Sequence, residues 1–266
     1  MTLRLAGIIS LLTVGAAPCA EPILLTESFN SPTKSGLAEQ LLQHKHVALA
    51  KSAGPDGSDA IRVTYVPYPR GSERVVSRFP LGRKVTRATL SFDVCFDRDF
   101  DFRKGGKLHG LGPQKPVTGG NPRSPERWSA RLMFEDKGHA RTYIYDQNPK
   151  AKYGIGNKTR GAVFSKGVWH RVDLQVALNT SGNSNGFVLL VIDGKKVASS
   201  DHLNLRGKDS QRTLIQTFLF STFHGGHDPS RSPRDAKEKP VKVHALFDNI
   251  SVSEGLVTSP RIQKGK

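Results

Sequence analysis

The chain has 266 residues, with 40 Lys and Arg against 23 Asp and Glu, a formal charge of +17. Two cysteines exclude a disulfide framework, recurrent Phe and β-branched residues exclude a disordered chain, and 26 Gly with 16 Pro and little heptad pattern exclude a helical bundle or coiled coil. The length suffices for one large domain with a sizeable core, and so basic a chain points to a polyanionic partner: a nucleic acid, an acidic membrane surface or an acidic polysaccharide.

Met1–Ala20 opens with Arg4, continues through the apolar run Leu5–Val14 and ends in the small residues Ala17-Pro-Cys-Ala20. That is the pattern of a secretory signal peptide cleaved after Ala20, and its apolar run is too short to span a bilayer. Lipidation at Cys19 is the alternative; the residue three before it is Ala16 rather than Leu. Export moves weight from intracellular nucleic acid toward acidic glycans, although a secreted nuclease remains compatible with it. In the remaining domain, 21–266, Cys95 is alone. It sits in the alternating run Leu90–Phe96, where a buried small hydrophobe is expected rather than a nucleophile.

Helical periodicity is visible only over Gly36–Leu49. Strands are predicted at Ala60–Val66, Ala88–Phe96, Trp128–Phe134, Arg141–Tyr145, Val168–Leu178, Phe187–Ile192, Lys195–Ser199, Thr213–Phe223 and Val243–Val252. Asp193-Gly194 is a hairpin turn between two of them. Asp228–Lys239 reads as a polar loop and Thr258–Lys266 as a frayed basic tail. Antiparallel strands over this length, with no repeat and no linker, predict an all-β sandwich of two sheets, of jelly-roll type.

Four segments stand out chemically. Lys104-Gly-Gly-Lys-Leu-His-Gly110 is basic and Gly-rich and reads as a loop that approaches a ligand closely. It is no Walker loop, since no Gly-Lys-Ser/Thr follows. Trp128–Phe134 places Trp128, Ala130, Leu132 and Phe134 on one face and Ser129, Arg131 and Met133 on the other. A turn at Lys137-Gly138 joining it to Arg141–Tyr145 sets Arg131 opposite Tyr143 and Ser129 opposite Tyr145, a polar face suited to a binding groove. Glu126, Glu135, Asp136 and Asp146 lie nearby, but no pair faces that groove, which disfavours a two-carboxylate glycosidase. His224-Gly-Gly-His227-Asp228 is the nearest approach to a metal cluster and reads as a solvated loop; no metal or cofactor is expected.

Lys104–Gly110, Trp128–Arg131, Tyr143-Ile-Tyr145 and Ser221-Thr-Phe-His-Gly-Gly226 together resemble the polysaccharide lyases of family 14, and the Lys-Gly-Gly-Lys-Leu element is similar to that of the related glucuronan lyases of family 20. Order and spacing fit across about residues 68–252. The sequence departs from the family at His109, where Pro is usual. The resemblance implies a jelly roll with a groove on one sheet and β-elimination at a uronate. Lys107, Ser129, Arg131, Tyr143 and Tyr145 match its active-site positions.

Such a reaction removes the C5 proton, neutralises the neighbouring carboxylate and protonates the departing O4. Arg131 suits the carboxylate, because its planar fork meets both oxygens. Tyr143, Tyr145 and Lys107 are the candidates for base and acid, and Ser129 for a hydrogen bond to substrate or to the tyrosines. Mannuronate and glucuronate carry the C5 proton and O4 on the same side, so one group can serve both; guluronate needs two, and His109 is a candidate second base. Lys104, His109, Arg70, Arg74, Arg78, Gln216 and His224 are expected to line subsites, the last two sharing parity on one strand. The protein is thus expected to be a secreted, monomeric polyuronate lyase, needing neither nucleic acid nor membrane insertion. The alternative is an acidic-glycan binder of the same fold.

Overall fold

In a computed structural model the described residues are 21–31, 36–148, 150–226 and 228–257. The expected leader with Cys19, the tail 258–266 and His227 lie outside them. In chain order the elements are β1 (Ile23–Glu27), α1 (Gly36–Leu42), β2 (Val47–Ala50), β3 (Ala60–Tyr65), β4 (Pro67–Tyr68), β5 (Gly71–Ser72), β6 (Val75–Val85), β7 (Arg87–Phe96), β8 (Gly106–Gly112), β9 (Ser129–Phe134), β10 (Ala140–Tyr145), β11 (Trp169–Ala177), β12 (Gly186–Ile192), β13 (Lys195–Leu203), β14 (Ile215–His224) and β15 (Val243–Glu254). No described helix is long and apolar enough to cross a membrane.

Apart from the short β4–β5 hairpin, period-two alternation sorts these strands into two antiparallel sheets. One runs β13-β12-β11-β7-β15-β3-β2, with β1 also on β15; the other runs β10-β9-β8-β14-β6. The fold is the expected all-β jelly-roll sandwich. Its core is built from one face of each strand: Leu90, Phe92, Val94 and Phe96 from β7 meet Ala130, Leu132 and Phe134 from β9 and Phe218 and Phe220 from β14. Each sheet therefore keeps an outer face. Cys95 is buried, and burial pushes its thiol up to about 11, so it behaves as the inert small residue expected.

The strands read from alternation are present to within two residues at either end, except that the return strand at Lys195 runs on to Leu203. Three readings change. The helix stops at Leu42 and the chain turns into β2. The edge strand β6, β1 and the short β4–β5 hairpin were not predicted. The segment read as a basic loop, Lys104–Gly110, becomes the central strand β8 from Gly106 onward.

β8 carries the irregularity that shapes the outer face of its sheet. Lys107 pairs with Met133 and Gly110 with Arg131, so three steps on β8 answer two on β9. That extra residue is a β-bulge, which reverses the inside–outside phase. Lys107 and Leu111 are four residues apart and in a regular strand would share a face. The bulge instead lets Lys107 face out while Leu108 and Leu111 both enter the core.

Candidate active site

The outer face of the five-stranded sheet holds the site. In the β9–β10 hairpin, Tyr143 pairs with Arg131 and Tyr145 with Ser129, the register read from the sequence. Bulged β8 lies on the other side of β9 and brings Lys107 beside them. Its amine is 3.6 Å from the centroid of the Tyr143 ring and 2.9 Å from Met133 Sδ. The Tyr143 and Tyr145 hydroxyls are 3.5 Å apart. Arg131 crosses β8 where Gly110 has no side chain: a Cβ there would fall 2.4 Å from Arg131 Cγ and 2.2 Å from the Ala130 carbonyl oxygen.

Two connections cover the phenols. Val117, from the segment joining β8 to β9, packs with Met133, Tyr143 and Tyr145 in a small apolar cluster separate from the core. Gly120 N–H donates to Tyr145 Oη at 2.9 Å. From the β10–β11 connection, Gly154 lies against the phenol end of Tyr143, so close that a Cβ would stand 2.9 Å from the ring.

Burial gives these groups unusual electrostatics. Arg131 is 5% exposed, makes no ion pair or hydrogen bond among the described residues, and leaves its Nε buried without a partner. Burial works against its charge and the tyrosines support it. A guanidinium keeps its proton in such settings, so a cation without a countercharge among the described residues lies on this face of the sheet. Lys107 is pushed down to about 6, first by burial and then by Arg131. The ring face of Tyr143, 3.6 Å away, favours the charged form and offsets only part of that fall. The amine therefore releases its proton far more readily than an ordinary lysine. Tyr143 moves the other way, to about 12, because burial and then Tyr145 oppose the phenolate. A neutral amine, two close phenols and a bare guanidinium can together take a proton, give one and hold an anion.

Ser129 belongs to the cluster, but its hydroxyl donates to the Val117 carbonyl at 2.7 Å. It anchors the covering segment instead of facing a ligand. Arg74, just before edge strand β6, and Arg78 within it extend the basic face; Arg74 lies 5.1 Å from the Phe223 ring, and Arg78 is close enough to Arg131 to oppose its charge. Arg70 is exposed on the turn between β4 and β5. Lys104 is exposed at the rim, its amine bound to Ser230 Oγ at 2.7 Å.

Three expected groove residues are elsewhere. His109 is the residue of the bulge that turns inward. It is fully buried among Phe92, Phe220 and Phe247, with ring centroids 4.2–4.8 Å away. Its Nδ1 lies 3.2 Å from both the amide and the carbonyl of Ser221, where the bulge breaks the β8–β14 ladder. Burial pulls its pKa down to about 3, so it is a neutral plug, not a second base. His224 also faces the core, stacked on Phe100 with Nε2 donating to the Asp101 carbonyl at 2.6 Å. His224 therefore does not belong to the solvated loop read from the sequence, whereas Asp228 is exposed as expected. A register shift between Ile215 and Thr217 breaks the parity that linked His224 to Gln216, and Gln216 bonds the carbonyls of Gln211 and Leu214.

Sequence reasoning put Met133 on the face of Arg131 but gave it no role, and gave none to Gly110, Gly120 and Gly154, whose roles depend on contacts made across the fold. Three of the four carboxylates stay out of the cluster: Glu126 pairs with Lys208, Asp136 with Lys158, and Asp146 accepts from the Asn148 amide. Glu135 pairs with Arg141 and is close enough to Lys107 to favour its charged form, without cancelling the effect of burial.

The jelly roll thus gathers cations and phenols on the outer face of one sheet. The model of the family Polysaccharide lyase 14 matches residues 67–247, and the chain belongs to that family. No curated protein sequence matches it. Among solved structures, a variant of alginate lyase Aly36B in complex with an alginate trisaccharide is 22% identical, with a TM-score of 0.70 over 88% of this chain and 99% of that one. An alginate lyase of the same family from Aplysia kurodai is 22% identical, with a TM-score of 0.65 over 90% and 100%. An endo-β-1,4-glucuronan lyase from Trichoderma reesei is 15% identical, with a TM-score of 0.58 over 84% and 92%. These likenesses are of fold.

Proposed function

We propose that this polysaccharide lyase is exported and cleaves a polyuronate, mannuronan or glucuronan, by β-elimination. The observation that carries the reading is Arg131: a buried guanidinium without a countercharge, beside an amine whose proton affinity burial has lowered. A uronate carboxylate supplies the missing anion and is met by the planar fork. Its neutralisation acidifies the C5 proton.

Lys107 takes that proton on its neutral amine. The C5–H pair becomes the C4–C5 double bond as the C4–O4 bond breaks, and O4 leaves as a hydroxyl after receiving a proton from the Tyr143–Tyr145 pair. Tyr143 is suited to donate because burial keeps its phenol protonated. Tyr145 Oη accepts from the Gly120 amide, which leaves its own proton free to point toward Tyr143 or substrate. Arg74 and Arg78 draw the flanking acidic residues along β6. The leader-like Met1–Ala20 supports export, and the alginate trisaccharide held by the Aly36B variant supports an acidic glycan as ligand.

The test is absorbance of the 4,5-unsaturated uronate product with polymannuronate, polyguluronate and glucuronan offered separately. The expected result is a rise on one of the first or third, abolished in Lys107→Ala. No rise on any polymer, with binding retained, would establish a glycan-binding protein instead.

A further inference from the structure

Tyr153 is 43% exposed, on the connection between β10 and β11. Its backbone is fixed by Arg123, whose guanidinium donates to the carbonyls of Asp146 at 2.9 Å, Tyr153 at 3.1 Å and Ala151. The same guanidinium lies 5.1 Å from the Tyr145 ring. The Tyr153 ring packs on Gly120, where a Cβ would lie 3.0 Å from its Cε1. Gly120 is the residue whose amide bonds Tyr145 Oη, and the residue after Tyr153 is the Gly154 that lies on Tyr143. One exposed aromatic is thus held a single glycine away from each reacting phenol. Lys152 places its amine 5.6 Å from the Tyr153 ring centroid.

A pyranose presents a face of C–H bonds that cations cannot read but a flat aromatic ring can, and a half-exposed tyrosine offers such a face with a polar tip. A uronate adds a carboxylate at the ring edge. We propose that Tyr153 and Lys152 form a subsite for the uronate residue next to the one being cleaved, Tyr153 taking the sugar face and Lys152 its carboxylate. This rests on the lyase reading above. The anchoring by Arg123 keeps the platform rigid, so little ordering cost accompanies binding.

The experiment compares wild type, Tyr153→Phe, Tyr153→Ala and Lys152→Gln on size-fractionated oligomers of whichever polymer the wild type cleaves. Tyr153→Ala should raise KM about tenfold, with kcat and the pH profile retained. Tyr153→Phe should restore the wild-type KM. Lys152→Gln should raise KM at low salt only. A Tyr153→Ala variant with wild-type KM on every length overturns the subsite, as does a Phe variant that fails as the Ala variant does. Thermal melts guard against misfolding, and Tyr153→Leu, which keeps bulk without a platform, must behave as Ala does. If wild type cleaves no polymer, the lyase reading fails separately. Calorimetric binding of the oligomers then decides: weaker binding by Tyr153→Ala upholds the subsite, and equal or absent binding overturns it.

Discussion

Replacing Arg131 with Met should make the protein more stable and inactive at once. Arg131 is 5% exposed, its Nε is buried without a partner, and the guanidinium makes no ion pair or hydrogen bond among the described residues, its nearest support being the Tyr143 ring at 5.5 Å. A buried ion carries an effective desolvation penalty of several kcal/mol, and exchange of buried charge for a well-packed apolar chain stabilises by about 1–4 kcal/mol. Met follows the same path over Gly110 and enters an apolar cluster that already holds Met133 and Val117. A gain of about 1–3 kcal/mol is expected after some loss of packing, and each kcal/mol moves Tm by about 2–4 °C in a domain of this size. The same change removes the group that neutralises the uronate carboxylate as charge develops, a loss of about 10²–10³ in kcat. Calorimetry and the unsaturated-product assay read the two effects separately. Saturated oligouronate should raise the melting temperature of wild type but not of the variant. A Met variant that melts below wild type would refute the reasoning whatever its activity, because it would mean that the guanidinium is satisfied in the free protein.

Lys107 gives a pH prediction with a definite sign. Its folded pKa of about 6 lies below the ordinary 10.5, so between those values the unfolded chain binds the extra proton and stability rises with pH; Lys107→Met should flatten that rise in denaturant titrations. In the same reading kcat/KM climbs through about pH 6 as the amine loses its proton, and a profile level across that region would remove Lys107 as the base. Tyr143→Phe should lower kcat by about 10²–10⁴ while leaving that acidic limb in place; loss of the limb instead would make Tyr143 the base. His109→Asn puts an oxygen where Nδ1 meets Ser221 and should melt close to wild type, whereas His109→Leu strands the Ser221 amide at about 1–3 kcal/mol. Equal melting of the two variants would show that the imidazole seals no gap in the ladder.

The legibility of this fold follows the regularity of its strands. β9 and β10 alternate without interruption, so parity and one turn fixed the pairing of Arg131 with Tyr143 and Ser129 with Tyr145 before any coordinates. β8 could not be read this way. Two adjacent glycines and a bulge hide its alternation, and only its neighbours β9 and β14 reveal a strand. The same failure misplaced His109, since parity counted from Lys107 sends it outward while the bulge sends it in. His224 went wrong through a register shift at the other end of β14. Both are polar residues in dry surroundings, where composition predicts exposure and tertiary context overrides it. The covering segments were silent for another reason: Val117, Gly120 and Tyr153 meet the phenols through long-range contacts that leave no periodic trace.

Buried charge on both outer faces separates scaffold from site. Outside the eight-stranded sheet, Asp93 receives Arg171 at 3.2 Å and Asn249 at 2.8 Å, Asp173 receives Ser91 at 2.7 Å, and Asp248 receives Ser58 at 2.7 Å. Each carboxylate there has an internal donor, and such a network closes on itself and asks for nothing more. Outside the five-stranded sheet, Arg131 has no hydrogen-bond acceptor among the described residues, and Lys107 has the Met133 thioether and the Tyr143 ring, with burial lowering the proton affinity of its amine. A fold that satisfies its charges on one face has the means to do so on the other. The deficit on this face is of one sign and lies on β8 and β9 at Lys107 and Arg131, with the exposed Arg74 and Arg78 beside them. A bound carboxylate removes it, and the free energy recovered when Arg131 finds its counterion is available only with substrate in place.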